Sequence, residues 1–154
     1  MKKVFRFNQK QLVDIYTIAL DSFLPKENTI NVNNIDYLAI DMTSASFDNI
    51  SQESKQEILN YFKVKYSIEA INASIDILKA SGLTSDIGND TNLISKYKKG
   101  VLLGILKINV KSKVEVIIEG YWFFTSVASE GIRTIIVLKD KEWHLQKTDV
   151  IWIS

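Results

Sequence analysis

The chain of 154 residues has no cysteine, one histidine, one proline and only two arginines, Arg6 and Arg133. Without cysteine there is no disulfide, no thiolate nucleophile and no Cys-ligated zinc. With His144 as the sole imidazole, only carboxylates remain in number as metal ligands, and no Asp-x-Asp-x-Asp loop of the calcium-binding kind occurs. Charge of one sign is also missing: 19 basic residues against 18 acidic give a net charge of +1. That balance, and the scarcity of arginine, remove the usual electrostatic reason to expect nucleic acid or an anionic membrane as partner. No apolar run reaches the roughly 18 residues of a membrane helix. The opening Met1-Lys2-Lys3-Val4-Phe5-Arg6-Phe7-Asn8 has the charge of a signal-peptide n-region, but the apolar stretch of about 7–15 residues that should follow is missing. The chain as given therefore reads as soluble and cytoplasmic, with an exported mature domain whose leader has been removed as the alternative. Gly82, Gly88, Gly100 and Gly104 form neither a dinucleotide fingerprint nor a phosphate loop. Ser44, Ser46 and Ser51 lie in no nucleophile elbow. No catalytic residue, metal or cofactor is assigned from these patterns.

What is present is an ordinary globular composition, 46% hydrophobic and 24% charged. A chain of this length buries enough surface to fold as one domain without a covalent or metal staple, so residues 1–154 are read as a single unit. Asn8 is placed to cap a helix running to about Leu24, where Pro25 stops it. Its stripe is Leu12, Ile15, Tyr16, Ala19, Leu20 and Phe23. Tyr37-Leu38-Ala39-Ile40 reads as a short buried strand, and 43–50 as a loop rich in Ser, Asn and Asp. Ser51 caps a second helix to about Tyr66, with Ile58, Leu59, Phe62 and Tyr66 inward. Residues 67–73 form a candidate strand. Ser74 caps a short helix over 75–81, and Gly82 stands at its left-handed C-cap. The polar stretch 83–100, with a turn at Gly88-Asn89-Asp90, has no assignment.

The C-terminal third carries the strongest pattern. Segments 101–111, 113–125, 132–139 and 142–153 are rich in Ile, Val, Leu, Phe and Trp, with short polar breaks. They predict a four-stranded, or larger, antiparallel meander preceded by helices, an α+β fold. A first turn centred on Ser112 would place Leu106 opposite Ile118, Ile108 opposite Val116 and Leu102 opposite Trp122. A middle turn is expected at 128–131, with Gly131 free to take positive φ. A last turn at Asp140-Lys141 pairs Leu138 with Trp143 and Ile136 with Leu145. If the middle turn keeps parity, one face holds Leu106, Ile108, Val116, Ile118, Trp122, Ile136, Leu138, Trp143 and Leu145. The other is mixed: Ile105, Glu119, Tyr121, Phe123, Arg133, Ile135, Val137, His144 and Gln146. A sheet apolar on parts of both faces must be covered twice, by helices on one side and by a subunit or ligand on the other.

Four residues of the mixed face are candidate ligand-binding groups: Glu119, Tyr121, Arg133 and His144. His144 could act as a base if a carboxylate or hydroxyl lay within reach; the simpler reading is a half-exposed strand histidine. Glu119, in the apolar run Ile117-Ile118-Glu119-Gly120-Tyr121-Trp122, could titrate abnormally and serve as acid or base. More simply, it pairs with Lys107 or Arg133 across the sheet. Asp41 is either a strand-end functional carboxylate or the start of an Asx turn, and the turn is favoured. The aromatics Trp122, Phe123, Phe124, Trp143 and Trp152 could bind a flat ligand or a sugar, or anchor a dimer, although most should be core. Lys96–Lys99 reads as a solvated loop.

Helices first, then a long meander ending at a Trp near the C-terminus, resembles the NTF2-like (cystatin-related) α+β superfold over 9–24 and 101–153. The resemblance implies a sheet curved over a long helix, a conical pocket, and a homodimer through the opposite sheet face. The segments Tyr37-Leu38-Ala39-Ile40-Asp41-Met42, Tyr61-Phe62, Gly100-Val101-Leu102-Leu103 and Trp152-Ile153-Ser154 also look like an uncharacterised family of small proteins from low-GC Gram-positive bacteria, some of which carry lipoprotein leaders. A fold alone assigns no chemistry. The reading that follows is a non-enzymatic binding or interaction module, a homodimer with a small-molecule or protein partner. The first alternative is a small-molecule enzyme of the isomerase, dehydratase or hydrolase type. It would use His144 or Glu119 as base and Tyr121 as orienting hydroxyl, with His144 and Glu119 in one closed pocket. The second is an immunity-type protein that neutralises a partner.

Overall fold

Asn8 begins the first helix in the manner its sequence predicts. Its side chain accepts from Gln11 N at 2.8 Å, and Gln11 Oε1 accepts from Asn8 N at 2.9 Å. This capping box satisfies two otherwise orphaned N–H groups. The helix, α1 (Gln9–Phe23), ends before Pro25. In the computed structural model, which describes residues 6–25, 35–80, 100–125 and 128–153, the remaining elements are β1 (Tyr37–Asp41), α2 (Gln52–Tyr66), β2 (Glu69–Asn72), α3 (Ile75–Ala80), β3 (Gly100–Ser112), β4 (Glu115–Thr125), β5 (Ala128–Lys139) and β6 (Glu142–Ile153). One 3-10 turn, Ala45–Phe47, interrupts the loop expected over 43–50, and it inserts Phe47 into the core. Ser51 caps α2, accepting from Ser54 N at 3.1 Å. The expected C-cap at Gly82 and the Gly88 turn lie outside the described residues.

All six strands form one sheet in the order β2-β1-β3-β4-β5-β6. The sheet is mixed rather than wholly antiparallel. β1 runs parallel to both β2 and β3, whereas β3 to β6 form the meander. Parallel neighbours need long crossovers; here α2 links β1 to β2. The sequence leaves open whether 37–42 and 68–73 belong to the main sheet; both contribute a strand to it, β1 and β2. The fold is α+β, with three α-helices and a six-stranded mixed sheet among the described residues.

The meander register departs from expectation in its first half. The hairpin turns at Lys113-Val114, with Ser112 opposite Glu115, and a bulge between Ile105 and Lys107 leaves Leu106 unpaired and 57% exposed. A second register shift, between Val110 and Ser112, sets Val110 opposite Val116 and Ile108 opposite Ile118, and beyond the Leu106 bulge Leu103 rather than Leu102 faces Trp122. The same bulge, one extra residue that shifts the alternation, moves Ile105 to the core, where it is 2% exposed. The middle turn expected at 128–131 is not there. β5 already begins at Ala128, and Gly131 is a strand residue opposite Tyr121. Parity is nevertheless kept, with Val116 opposite Ile136 and Ile118 opposite Thr134. The last hairpin forms as expected: Asp140 and Lys141 take φ of 54° and 68°, Leu138 pairs with Trp143, and Ile136 with Leu145. Two successive positive φ values match the right-handed twist of the flanking strands.

α1 packs across β3 to β6 on one face, and α2 packs on α1 and β2. Between them lies the main core, including Ile15, Leu20, Phe23, Leu38, Ile58, Phe62, Leu103, Ile118, Trp122 and Ile136. Within it, Ser22 of α1 and Thr134 of β5 join hydroxyls at 2.6 Å, so neither buried oxygen is orphaned. The opposite, outer face has a smaller core of Tyr37, Ala39, Ala73, Leu78 and Leu102, to which α3 contributes Leu78.

Candidate functional site

The outer face is organised as rows running across the strands. Asp41, Gly104, Tyr121, Gly131 and Trp152 are successive partners from β1 through β3, β4 and β5 to β6. Two of the five are glycines, and each is roofed by an aromatic ring. A Cβ at Gly104 would come within 2.4 Å of the Tyr121 ring, and one at Gly131 within 2.1 Å of the Trp152 indole. A third pair, Tyr37 over Gly100, lies two outer-face rows away, beyond Ala39 and Leu102. The glycines are there for close ring approach, not for turn geometry, which corrects the positive-φ role expected of Gly131. Burial and then the charge of Asp41 raise the Tyr121 pKa, so its phenol stays a proton donor.

The next outer row is charged and alternates in sign: Lys107, Glu119, Arg133 and Asp149. Arg133 donates through Nε and Nη2 to Glu119 Oε1 at 2.9 and 2.7 Å. The carboxylate of Glu119 is thus held by the cross-strand partner that its sequence position suggests. Asp41 accepts from Thr43 N at 2.9 Å, the Asx turn. Glu119, Tyr121 and Arg133 are therefore neighbours on one face. His144 is not with them. It is exposed and lies opposite Val137, which in turn faces Glu115, two outer-face positions away from the Glu119 row. The register thus keeps the imidazole and the Glu119 carboxylate in different rows.

None of these four residues lines either of the two cavities described. One cavity, of about 780 Å³, opens between the start of α1 and the bulged part of β3. Phe7, Leu12, Ile15, Tyr16, Leu106 and Ile108 are among its walls. Tyr16 donates its phenol proton to Ser46 O there, and burial raises its pKa. The other, about 920 Å³, lies beside the β5–β6 turn and is lined by Lys10, Asp14, Tyr61, Asp140, Lys141 and Trp143 among others. Among the described residues no group of three or more His, Asp or Glu side chains is placed to hold a metal ion.

The aromatic group splits as its bland reading anticipates. Trp122 is 1% exposed and donates Nε1–H to Glu130 at 3.1 Å. Trp143 packs edge-on against Phe7 at 5.5 Å. Phe124 borders the main core and Phe123 the smaller one. Only Trp152, at 41% exposure, presents its ring to solvent.

A polar cluster that the sequence did not disclose joins α1 to α2. Asp21 accepts from Tyr61 Oη at 3.1 Å and also from Lys65 Nζ and Tyr66 Oη. Burial alone would raise the Asp21 pKa. Hydrogen bonds from Lys65 and Tyr66, the Lys65 charge and the Tyr61 hydroxyl outweigh it and hold the carboxyl below its ordinary value. Tyr66 is pushed up to about 12, by burial first and then by Asp21. The available signal was Tyr61, Lys65 and Tyr66 at helical spacing on α2; their partner lies 40 or more residues earlier and is fixed only by packing. The cluster is a clamp between helices, since its groups satisfy one another.

No protein-family model, no curated protein and no solved structure matches this chain.

Proposed function

We propose that this protein is a non-enzymatic binding module that works as a homodimer through its C-terminal sheet. The observation that carries the reading is the concentration of exposed apolar side chains at the end of β6: Val150, Ile151, Trp152 and Ile153, with Leu145 earlier in the strand. Exposed apolar side chains gathered on one strand are a mark of interaction sites. The groups that could have done acid–base chemistry support the same reading. Glu119 is tied to Arg133, Asp21 to α2, and Asp41 to Thr43. His144 stands in a separate row from Glu119. An NTF2-like relationship fits the helix-then-meander order and belongs to this proposal. Sedimentation equilibrium tests it: a dimer is expected at micromolar concentration, and a monomer persisting to high concentration would overturn it.

The cavity of about 780 Å³ favours a second reading, a small-molecule carrier, because its volume suits a drug-sized ligand and its walls mix apolar side chains with polar ones such as Arg6, Gln9 and Lys107. Native mass spectrometry separates the two: a retained small molecule with a monomeric protein would favour the carrier.

A further inference from the structure

Among the described residues β6 is an edge of the sheet, with β5 as its neighbouring strand. It is 12 residues long and contains no proline. Such an edge presents a row of N–H and C=O groups that template another strand, and proteins usually shorten, charge or cover it. Here the charges are confined to Glu142 at its start and to Lys147 and Asp149 in the middle, with exposed apolar residues toward the C-terminus.

We propose that a second copy of this chain adds to the sheet here, β6 against β6 and antiparallel, with the two-fold axis at Thr148. This rests on the homodimer reading above and gives it a register. The strand is chemically self-complementary about that residue. Lys147 would stand opposite Asp149 of the partner subunit, and Asp149 opposite the partner's Lys147. Further out, Leu145 meets the partner's Ile151, His144 meets the partner's Trp152, and Trp143 meets the partner's Ile153. The centre is two ion pairs, Gln146 then meets the partner's Val150, and the outer flanks are apolar or aromatic, pairings of the kind that stabilise neighbouring strands.

The faces agree as well. Pairing with β5 puts His144, Lys147, Asp149 and Trp152 on the outer face, opposite Val137, Ile135, Arg133 and Gly131. It puts Trp143, Thr148 and Ile153 on the core side, opposite Leu138, Thr134 and Glu130. One bulge lies on each side of Thr148, with Gln146 and Ile151 unpaired. The alternation therefore slips once on each side, and the β5-paired residues that the axis relates to each other, 147 with 149, 144 with 152 and 143 with 153, share a face. Moving the axis to Lys147 or to Asp149 would set like charges against each other. A shift of one position would oppose outer residues to core-side ones. The alternating row of the outer face also supports this register: Lys107, Glu119, Arg133 and Asp149 would continue across the seam to the partner's Lys147 without a break in sign. An interface in which one patch meets itself closes as a two-fold dimer and grows no further.

The absence of cysteine makes the test clean. In Thr148→Cys the two thiols would face each other across the axis, where directly opposed Cα atoms at roughly 4.5–5.5 Å fall within disulfide range. Mild oxidation should give a covalent dimer in high yield. Val150→Cys, displaced along the strand from its own copy, should stay mostly unlinked. In parallel, Lys147→Asp and Asp149→Lys should each weaken the dimer by about tenfold or more, because both central pairs become repulsive. An equimolar mixture of the two variants should recover dimer as the heterodimer, in which both central pairs are attractive again. A dimer that persists in the unsubstituted protein but shows neither Thr148→Cys linkage nor recovery on mixing would overturn this register and leave the homodimer reading standing. A monomeric unsubstituted protein would overturn both.

Discussion

The two edges of the sheet are built to opposite plans. β2, at one end, is four residues long and runs parallel to β1, and α2 packs against it. Its Ala70 is 2% exposed and sits in the main core. β6, at the other end, is three times as long, belongs to an antiparallel hairpin and leaves five large apolar side chains in solvent. A short edge beside a helix is closed by the chain's own packing; a long bare one is closed only by another strand. The comparison teaches that burial reaches β6 only at its start, where Trp143 joins the main core, and that the surface available for recognition is the C-terminal part of that strand, where the large apolar side chains are exposed.

The largest expected effect comes from substituting the closed side. Leu38→Ala, in β1 at 1% exposure, should lower stability by about 2–5 kcal/mol through lost burial and the cavity left behind. Val150→Ala, at 52% exposure on the open edge, should change it by less than about 0.5 kcal/mol. Urea unfolding of dilute protein measures both; similar losses at the two positions would erase the distinction.

Next come the roofed glycines, which sharpen the same contrast within the outer face. Gly104→Ala drives a methyl into the partly buried Tyr121 ring and should cost about 1–3 kcal/mol as overpacking. Gly131→Ala meets the Trp152 indole, which is 41% exposed and free to swing outward. Its expected signature is a red-shifted tryptophan emission with a smaller loss of melting temperature. Equal losses would mean that the β6 end is packed as firmly as the β3 end.

The helix clamp tests how the closed side is held. The Asp21 pKa is depressed in the folded chain, so its stabilisation is present above the unfolded value of about 3.9 and is lost as pH falls through the lower folded value. Because the Lys65 side chain is 45% exposed, solvent screening limits the contribution to about 1 kcal/mol. Asp21→Asn should lose that much at neutral pH and show a flatter decline below pH 4 in thermal melts. A parallel acid decline in both proteins would deny the clamp. The smallest effect is expected for Arg133→Ala, which removes an exposed cross-strand pair with Glu119 and should cost at most about 1 kcal/mol in the same urea series.

Much of the local structure was legible because it depends on neighbours in the chain. Asn8 with Gln11, and Pro25, bound α1 within a residue; Ser51 starts α2; Asp140-Lys141 sets the last hairpin and its register. The cross-strand pairing of Glu119 with Arg133 was legible for the same kind of reason, given a fixed parity. The bulge at Leu106 was not. An extra residue in a strand has no composition of its own, and an apolar residue at that point reads like any other member of the alternation. It is this bulge, not the position of the turn expected at Ser112, that puts Leu102 on the outer face and Ile105 in the main core. Gly131 misled because glycine serves both turns and ring contacts, and only the position of Trp152 decides between them. Of the candidate site, Glu119, Tyr121 and Arg133 came together, and His144 fell in a separate row.

The amino-acid sequence by itself determined where helices begin, where strands alternate, and that no thiol chemistry is available, because each of these depends on residue type and near-neighbour spacing. The tertiary structure alone decided that β1 and β2 join the sheet in parallel, that Asp21 meets Tyr61, Lys65 and Tyr66, and that charges of alternating sign line up from Lys107 to Asp149. Those pairings join residues far apart in the chain. Closing the intervening loops costs entropy that only the assembled core repays, so no local pattern encodes them.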